Sequence, residues 1–81
     1  MGIEQRIKEI LVSDVYVEVP VHEIQVDDSM RDVLGVDSLG FVELKDQVEK
    51  EYNINIEDAD FTPENFGTIR SLTSLIERLR T

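Results

Sequence analysis

The sequence predicts an all-α fold, a small bundle of three main helices plus one short helix, with a long loop between the first and second helices. Three segments carry apolar side chains three to four residues apart, which is the spacing of one helix face. The stretch richest in β-branched residues, 15–21, is interrupted by Pro20 and has no second strand to pair with, which favours an extended loop. Nothing divides the chain, so we expect a single domain over residues 1–81.

The first two main helices are predicted from this spacing. The first helix is expected over residues 2–13, and a long loop follows it, held to the core by scattered apolar side chains. The second helix is expected over residues 38–51, with Asn53 ending it. Its inward-facing stripe consists of Phe41, Leu44, Val48 and Tyr52.

The short helix and the last main helix are predicted near the C-terminus. Thr62 is a favoured N-cap, Pro63 suits a first helical turn, and Phe66 is the expected buried anchor of the short helix. Gly67 marks its end. From Thr68 onward helical spacing returns, with an inward stripe of Ile69, Leu72, Leu75, Ile76 and Leu79.

The balance of charge restricts the partners of this chain. Its 81 residues include 18 acidic and 8 basic side chains, a net charge of −10. Because this charge repels phosphates and anionic lipid, we expect no nucleic-acid partner and predict partners with basic surfaces. No apolar run is long enough to cross a bilayer, so we expect no membrane insertion and predict a cytoplasmic monomer. Cysteine is absent, so any thiol chemistry must come from an added group.

The chain offers no recognisable set of catalytic or metal-binding residues. His22 is the only histidine, and without cysteine it cannot complete a zinc site. The acids Asp27, Asp28 and Asp32 lack the spacing of an EF-hand loop. A serine nucleophile needs a positioned base and an oxyanion hole, which one loop histidine does not supply. We therefore predict no enzyme activity, no catalytic residues and no metal site.

The stretch Leu-Gly-Val-Asp-Ser-Leu, residues 34–39, precedes the second helix and holds the main candidate site. Ser38 has two compatible interpretations, as a helix cap or as a hydroxyl open to modification. Asp37 can cap the helix unaided, which would leave the Ser38 hydroxyl where backbone N–H groups favour an attached phosphate. Gly35 permits a sharp turn and leaves the approach uncluttered. From these residues alone, capping is the more common role for such a serine.

A second face of the same helix is a candidate docking surface. Leu39 and Val42 lie off the core stripe, and Glu43, Asp46 and Gln47 lie near them. A solvated, charged helix face is one interpretation of this pattern. The other is a docking face whose aliphatic side chains enter a partner's groove while the partner's basic residues steer the approach.

Motifs spread over nearly the whole chain match one protein family. The second helix starts with Asp-Ser-Leu at 37–39 and continues with Phe-Val-Glu-Leu at 41–44. A hydrophobic step, Tyr52-x-Ile54-x-Ile56, follows it, and Thr68-Ile69 opens the last helix. With the amphipathic N-terminal helix and the long loop, the sequence resembles the acyl carrier proteins, a phosphopantetheine-binding family.

This resemblance implies a function. A phosphopantetheinyl transferase would move 4′-phosphopantetheine from coenzyme A onto the Ser38 hydroxyl, which Asp37 flanks. Acyl groups would ride on the thiol of this arm as thioesters, and partner enzymes would load, condense, modify and release them. Leu39, Val42 and Glu43 match positions that such partners read. The resemblance implies a discrete carrier of fatty-acid, polyketide or related secondary-metabolite biosynthesis.

The sequence departs from the family pattern at two positions. Val33 and Gly40 stand where acids are common, which lowers the charge around the serine and suggests a specialised pathway. Within the family, Asp37 favours acyl over aminoacyl cargo. Two alternatives stay open, a stand-alone aminoacyl or peptidyl carrier and an acidic interaction domain in which Ser38 only caps a helix.

Overall fold

A computed structural model, which describes residues 2–80, contains three α-helices. They are α1 (Ile3–Ser13), α2 (Ser38–Tyr52) and α3 (Ile69–Arg80), and a short 3₁₀ helix (Val21–Glu23) lies in the long loop between α1 and α2. Between residues 2 and 80 no segment forms a β-strand. The predicted all-α fold class and the extended loop after the first helix are confirmed.

One core holds the three helices together, and α1 lies against both α2 and α3. The predicted inward stripes account for its centre, because the buried positions of each helix recur three or four residues apart. In α2, Leu44 and Val48 are fully buried, while Phe41 and Tyr52 are half-buried and pack against the core. The other helices contribute Ile7, Ile10 and Leu11 from α1 and Ile69, Leu72, Leu75 and Ile76 from α3.

The long loop is attached to the core by apolar side chains and to the start of α3 by polar contacts. Its buried side chains are Val17, Ile24, Met30, Leu34 and Val36. Near its middle, the Arg70 backbone N–H donates to the Val26 carbonyl at 3.0 Å. The Arg70 guanidinium also donates from Nε to Asp27 Oδ1 at 2.7 Å, and this hydrogen bond holds the pKa of the Asp27 carboxyl below its usual value.

The predicted short helix starting at Thr62 is not formed; the segment makes turns instead. Its local contacts are nevertheless those of one helical turn. The Asn65 N–H donates to Thr62 Oγ1 at 3.2 Å, the Phe66 N–H donates to the Thr62 carbonyl at 2.9 Å, and Phe66 is buried. The turn does not continue, since the Gly67 N–H forms no backbone hydrogen bond to the Pro63 carbonyl. The Gly67 carbonyl accepts the Met30 N–H at 2.9 Å and so joins this segment to the long loop.

Two residues other than glycine have a left-handed backbone, one at the end of α2 and one three residues beyond the end of α1. Asn53 closes α2 with φ 53°, as the sequence predicted, and asparagine is one of the residues that tolerate this conformation. After α1, Tyr16 has φ 66°, and the next N–H, of Val17, donates back to the Leu11 carbonyl at 2.9 Å. The chain thus turns after α1 through a left-handed residue, a conformation that glycine adopts without steric cost.

Candidate functional site

Asp37, and not Ser38, caps α2. The Gly40 N–H donates to Asp37 Oδ1 at 2.8 Å, and Asp37 has extended backbone angles, as an N-cap residue should. Ser38 is therefore the first residue of the helix. Its side chain is exposed, and within residues 2–80 its hydroxyl has no hydrogen-bond partner. Of the two roles that the sequence left open, the structure assigns capping to Asp37 and leaves the Ser38 oxygen accessible.

Gly35 turns the chain just before this cap. Its φ is 77°, a conformation that L side chains rarely adopt, and a Cβ there would have no atom within 4 Å. Backbone geometry, and not a lack of space, is therefore what favours glycine. After the turn, Val36 points into the core and its N–H donates to the Met30 carbonyl at 2.9 Å, while Asp37 faces solvent. The turn thus sets the side on which Ser38 emerges.

Ser38 lies on the wall of an open cavity of about 860 Å³. The long loop forms one side, the start of α2 a second, and the turns before α3 the third. The third side is mostly apolar, and the rings of Phe61 and Phe66 meet edge to face with their centroids 4.8 Å apart. The residues that line the cavity are Ser29, Arg31, Asp32, Val36, Asp37, Ser38, Phe41, Val42, Phe61, Thr62, Pro63, Phe66 and Gly67.

Sequence reasoning missed Arg31, the one basic side chain among the residues that line this cavity. Arg31 is exposed, and among the described residues it has no ion pair, although Asp32 and Asp37 line the same space. By contrast, Arg6, Lys45, Lys50 and Arg70 are all paired with carboxylates. No pattern in the sequence marks Arg31, because its position depends on how the loop folds over the core.

A second cavity, of about 500 Å³, lies on the other side of the α2 start, between two stretches of the long loop. Gly40 forms part of its wall. A Cβ on Gly40 would lie 2.9 Å from Val36 Cγ1 and 3.1 Å from Val15 Cγ1. Two valines thus fill the space that a side chain at position 40 would need. The lining residues are 15–19, 32–37 and Gly40.

The candidate docking face is only partly gathered around Ser38. Leu39 and Val42 are exposed, with 81% and 54% of their surface accessible, but only Val42 reaches the cavity beside Ser38. Glu43 and Gln47 are half-buried, and Gln47 Nε2 donates to Glu43 Oε2 at 2.6 Å. Asp46 is exposed and pairs with Lys50 at 3.2 Å. The candidate docking face therefore consists of two exposed aliphatic side chains beside two acids, which are held by Gln47 and Lys50.

Residues 2–80 contain neither a candidate membrane-spanning helix nor a candidate metal-binding cluster. None of the helices there is both long enough and apolar enough to cross a membrane. No group of three or more histidine, aspartate or glutamate side chains in this part of the chain is placed to hold a metal ion.

Removing the cap should destabilise the fold. We expect Asp37→Ala to lower the free energy of unfolding by about 1 kcal/mol, because the Gly40 N–H loses its acceptor. Urea unfolding followed by circular dichroism measures the effect. Asp46→Ala, which removes an exposed carboxylate from the same helix, is the control and should cost less than about 0.5 kcal/mol. Equal stabilities for the two variants would show that Asp37 is not the effective cap.

Comparison with known proteins adds a family. A family profile described as "Phosphopantetheine attachment site" matches residues 5–76. The chain is 32% identical over 78 residues to the acyl carrier protein of Bdellovibrio bacteriovorus, a match that covers 96% of this chain and 95% of the relative. It is 40% identical over 55 residues to the acyl carrier protein of onion yellows phytoplasma, covering 68% of this chain and 70% of that one.

Solved structures share the fold. One is a chain from the crystal structure of an engineered Bradyrhizobium japonicum glycine:carrier protein ligase complexed with a carrier protein from Agrobacterium tumefaciens and ATP. It superposes with a TM-score of 0.85 at 21% identity, covering 95% of this chain and 99% of that chain. The corresponding complex with AMP gives a TM-score of 0.82 at 22% identity, with coverages of 91% and 97%.

Proposed function

Because this chain belongs to the family of phosphopantetheine attachment-site domains, we propose that it is an acyl carrier protein whose 4′-phosphopantetheine arm is attached to Ser38. The observation that carries the assignment is the exposed, unbonded Ser38 hydroxyl at the first residue of α2, beside a separate residue that caps the helix. A serine that also capped the helix would have to exchange its hydrogen bond for the phosphodiester. This one has none to exchange.

The surroundings of Ser38 fit such an arm. A phosphodiester at the first residue of α2 lies where backbone N–H groups and the helix dipole favour negative charge. Arg31 supplies a cation from the same cavity without having to leave an existing ion pair. The cavity of about 860 Å³ is within the usual size of small-molecule sites, on the order of 300–1,000 Å³.

The chemistry of the proposed carrier comes from the bound arm and from partner enzymes. Phosphopantetheine supplies the thiol that this cysteine-free chain lacks, and acyl groups bind to it as thioesters. The chain itself contributes attachment and delivery, because a tethered substrate reaches a partner's active site at high effective concentration. We propose no catalytic step for its own side chains.

Partner enzymes would contact the α2 face beside Ser38. Leu39 and Val42 offer exposed apolar surface, and the net charge of −10 favours partners that present basic side chains. Electrostatic attraction of this kind speeds association without requiring slow release, which suits a carrier that meets several enzymes in turn. We propose loading, condensing and modifying enzymes of fatty-acid, polyketide or related biosynthesis as these partners.

The cavity beside Ser38 favours an acyl cargo. Three aromatic rings, those of Phe41, Phe61 and Phe66, line it, and an alkyl chain gains by burial against them. An aminoacyl carrier is the second candidate, which the likeness to chains from a glycine:carrier protein ligase complex brings forward. Intact-protein mass spectrometry of material purified from the native host would separate the two by the mass of the cargo.

The attachment itself has a direct test. Incubation of the purified chain with coenzyme A, magnesium and a promiscuous phosphopantetheinyl transferase should add the mass of one phosphopantetheine. If several transferases leave the mass unchanged, the chain is instead an acidic interaction domain in which the α2 start has only a structural role.

Reversing the charge of Glu43 should weaken partner binding. We expect Glu43→Lys to raise the Kd for the transferase roughly tenfold at low salt and to reduce the salt dependence of Kd. Helicity should be retained, because among the described residues the Glu43 side chain bonds only to Gln47 on the solvent side of the helix. Kd from isothermal titration and far-ultraviolet circular dichroism check both points.

Glu57→Lys provides the matched control. Glu57 is exposed and lies beyond the end of α2, and the substitution makes the same change of charge. Because Glu57 is not on the α2 face, the Kd of the Glu57→Lys variant for the transferase should change much less. Equal effects of the two variants would show that net charge alone, and not the α2 face, governs association. Unfolding of Glu43→Lys would assign that side chain a structural role.

A further inference from the structure

Tyr16 adopts a backbone conformation that costs conformational free energy. Its φ of 66° places an aromatic residue in the left-handed region, where L side chains other than asparagine and aspartate are uncommon. The hydrogen bond from the Val17 N–H to the Leu11 carbonyl, beyond the end of α1, is made across this turn of the chain. Glycine would make the same turn without the steric cost.

Within residues 2–80, the side chain of Tyr16 forms no contact that would offset this conformational cost. It is 81% exposed, so the ring gains little by burial, and its hydroxyl forms no hydrogen bond with any described residue. The other non-glycine residue with positive φ, Asn53, is of a type that tolerates the conformation. A strained position that holds a large, exposed aromatic side chain indicates a role outside the fold.

Tyr16 lies close to the start of α2. Val15, its neighbour, places Cγ1 3.1 Å from where a Cβ on Gly40 would be, two residues beyond Ser38. Tyr16 also lines the 500 Å³ cavity together with Val33, another exposed apolar side chain, and Asp37, the cap of α2. Ser38 lines the other cavity, and Asp37, the residue before it, lines both. An enzyme that covers Asp37 while it reaches Ser38 therefore extends toward the Tyr16 ring.

The charges around Tyr16 select the kind of partner. Three acids, Glu18, Asp32 and Asp37, line the same cavity, and its lining contains no basic residue. An apolar contact surrounded by carboxylates complements a partner that presents an apolar side chain between basic ones. Exposed aromatic rings are among the side chains that contribute most to binding energy at such contacts.

We propose that Tyr16, with Val33 beside it, is an anchoring contact for the phosphopantetheinyl transferase that modifies Ser38. This inference rests on the proposed carrier function. It extends the docking surface from α2 to the loop after α1. The transferase acts before any cargo is present, and Tyr16 is the contact on that surface that we assign to it.

The test uses the full chain, coenzyme A and the phosphopantetheinyl transferase of the native host. Tyr16→Gly keeps the left-handed turn without the ring, and Tyr16→Asn keeps it with a smaller polar side chain. We expect both variants to raise the KM for the carrier about tenfold, which corresponds to the loss of one aromatic anchor, with kcat unchanged. The Tm of Tyr16→Gly should be at least that of the wild type.

Asn53→Gly is the matched control, because it introduces glycine at the other exposed left-handed position, which lies at the opposite end of α2 from Ser38, about 22 Å along the helix. Its KM should equal that of the wild type. An unchanged KM in Tyr16→Gly, or the same change in Asn53→Gly, would overturn the transferase contact. A lower Tm in Tyr16→Gly would show that the ring stabilises the fold, against the inference. If the wild-type chain is not modified either, it is the carrier function that fails.

Discussion

Ser38→Ala is expected to abolish the addition of phosphopantetheine completely. The substitution removes the only hydroxyl at the α2 start and therefore the oxygen that would form the phosphodiester. The fold should be unaffected, because Asp37 accepts the capping hydrogen bond and the Ser38 hydroxyl bonds to no described residue. Intact-protein mass spectrometry after incubation with transferase and coenzyme A measures the loss, and thermal unfolding should give the wild-type Tm.

Ser29→Ala separates this assignment from a general effect of removing a serine. Ser29 lines the same cavity, but its hydroxyl accepts the Asp32 N–H at 3.0 Å. This variant should still gain the mass of one phosphopantetheine and should lose about 1 kcal/mol of stability. A mass gain in Ser38→Ala, or its loss in Ser29→Ala, would contradict attachment at Ser38.

Leu44→Ala is expected to give the largest loss of stability among the α2 substitutions considered, about 2–5 kcal/mol. Leu44 is fully buried on the core side of α2, so truncation removes apolar contacts and leaves a cavity among neighbours that close it only in part. For a domain with a total stability of roughly 5–15 kcal/mol, this is a large fraction. Urea unfolding measures it as a lower midpoint at an unchanged slope.

Leu39→Ala is the same substitution on the opposite face of the same helix. Leu39 is 81% exposed, so its truncation should change the free energy of unfolding by less than about 0.5 kcal/mol. The partners proposed for α2 should bind this variant more weakly. Equal destabilisation by the two substitutions would contradict the assignment of one core face and one docking face to α2.

The helices were predictable because their cause is local. Apolar residues three or four positions apart define the core face of each helix, and Asn53 at the end of α2 is a residue that accepts a left-handed backbone. The resemblance to the acyl carrier proteins is confirmed by the family profile and by the relatives from two bacteria. Attachment at Ser38 stays a prediction until the mass is measured.

The turns at Thr62 show where local signals stop being sufficient. The Thr62 cap and the buried Phe66 anchor were both predicted correctly, yet no helix follows, and the segment is joined instead to the long loop by the bond from the Met30 N–H to the Gly67 carbonyl. That bond joins residues far apart in the sequence. The two cavities and the position of Arg31 depend on the same kind of long-range contact, so no short pattern reports them.

The packing of Gly40 limits the charge that this chain can carry at the start of α2. Any side chain at position 40, an acid included, would place its Cβ 2.9 Å from Val36 Cγ1 and 3.1 Å from Val15 Cγ1. Valine side chains have few favourable rotamers, so neither can turn aside without strain. A side chain at position 40 therefore requires Val36 and Val15 to shift or to be replaced by smaller residues, whereas glycine requires neither change. With both valines in place, the packing favours glycine at position 40 and keeps a further charge out of the first turn of α2.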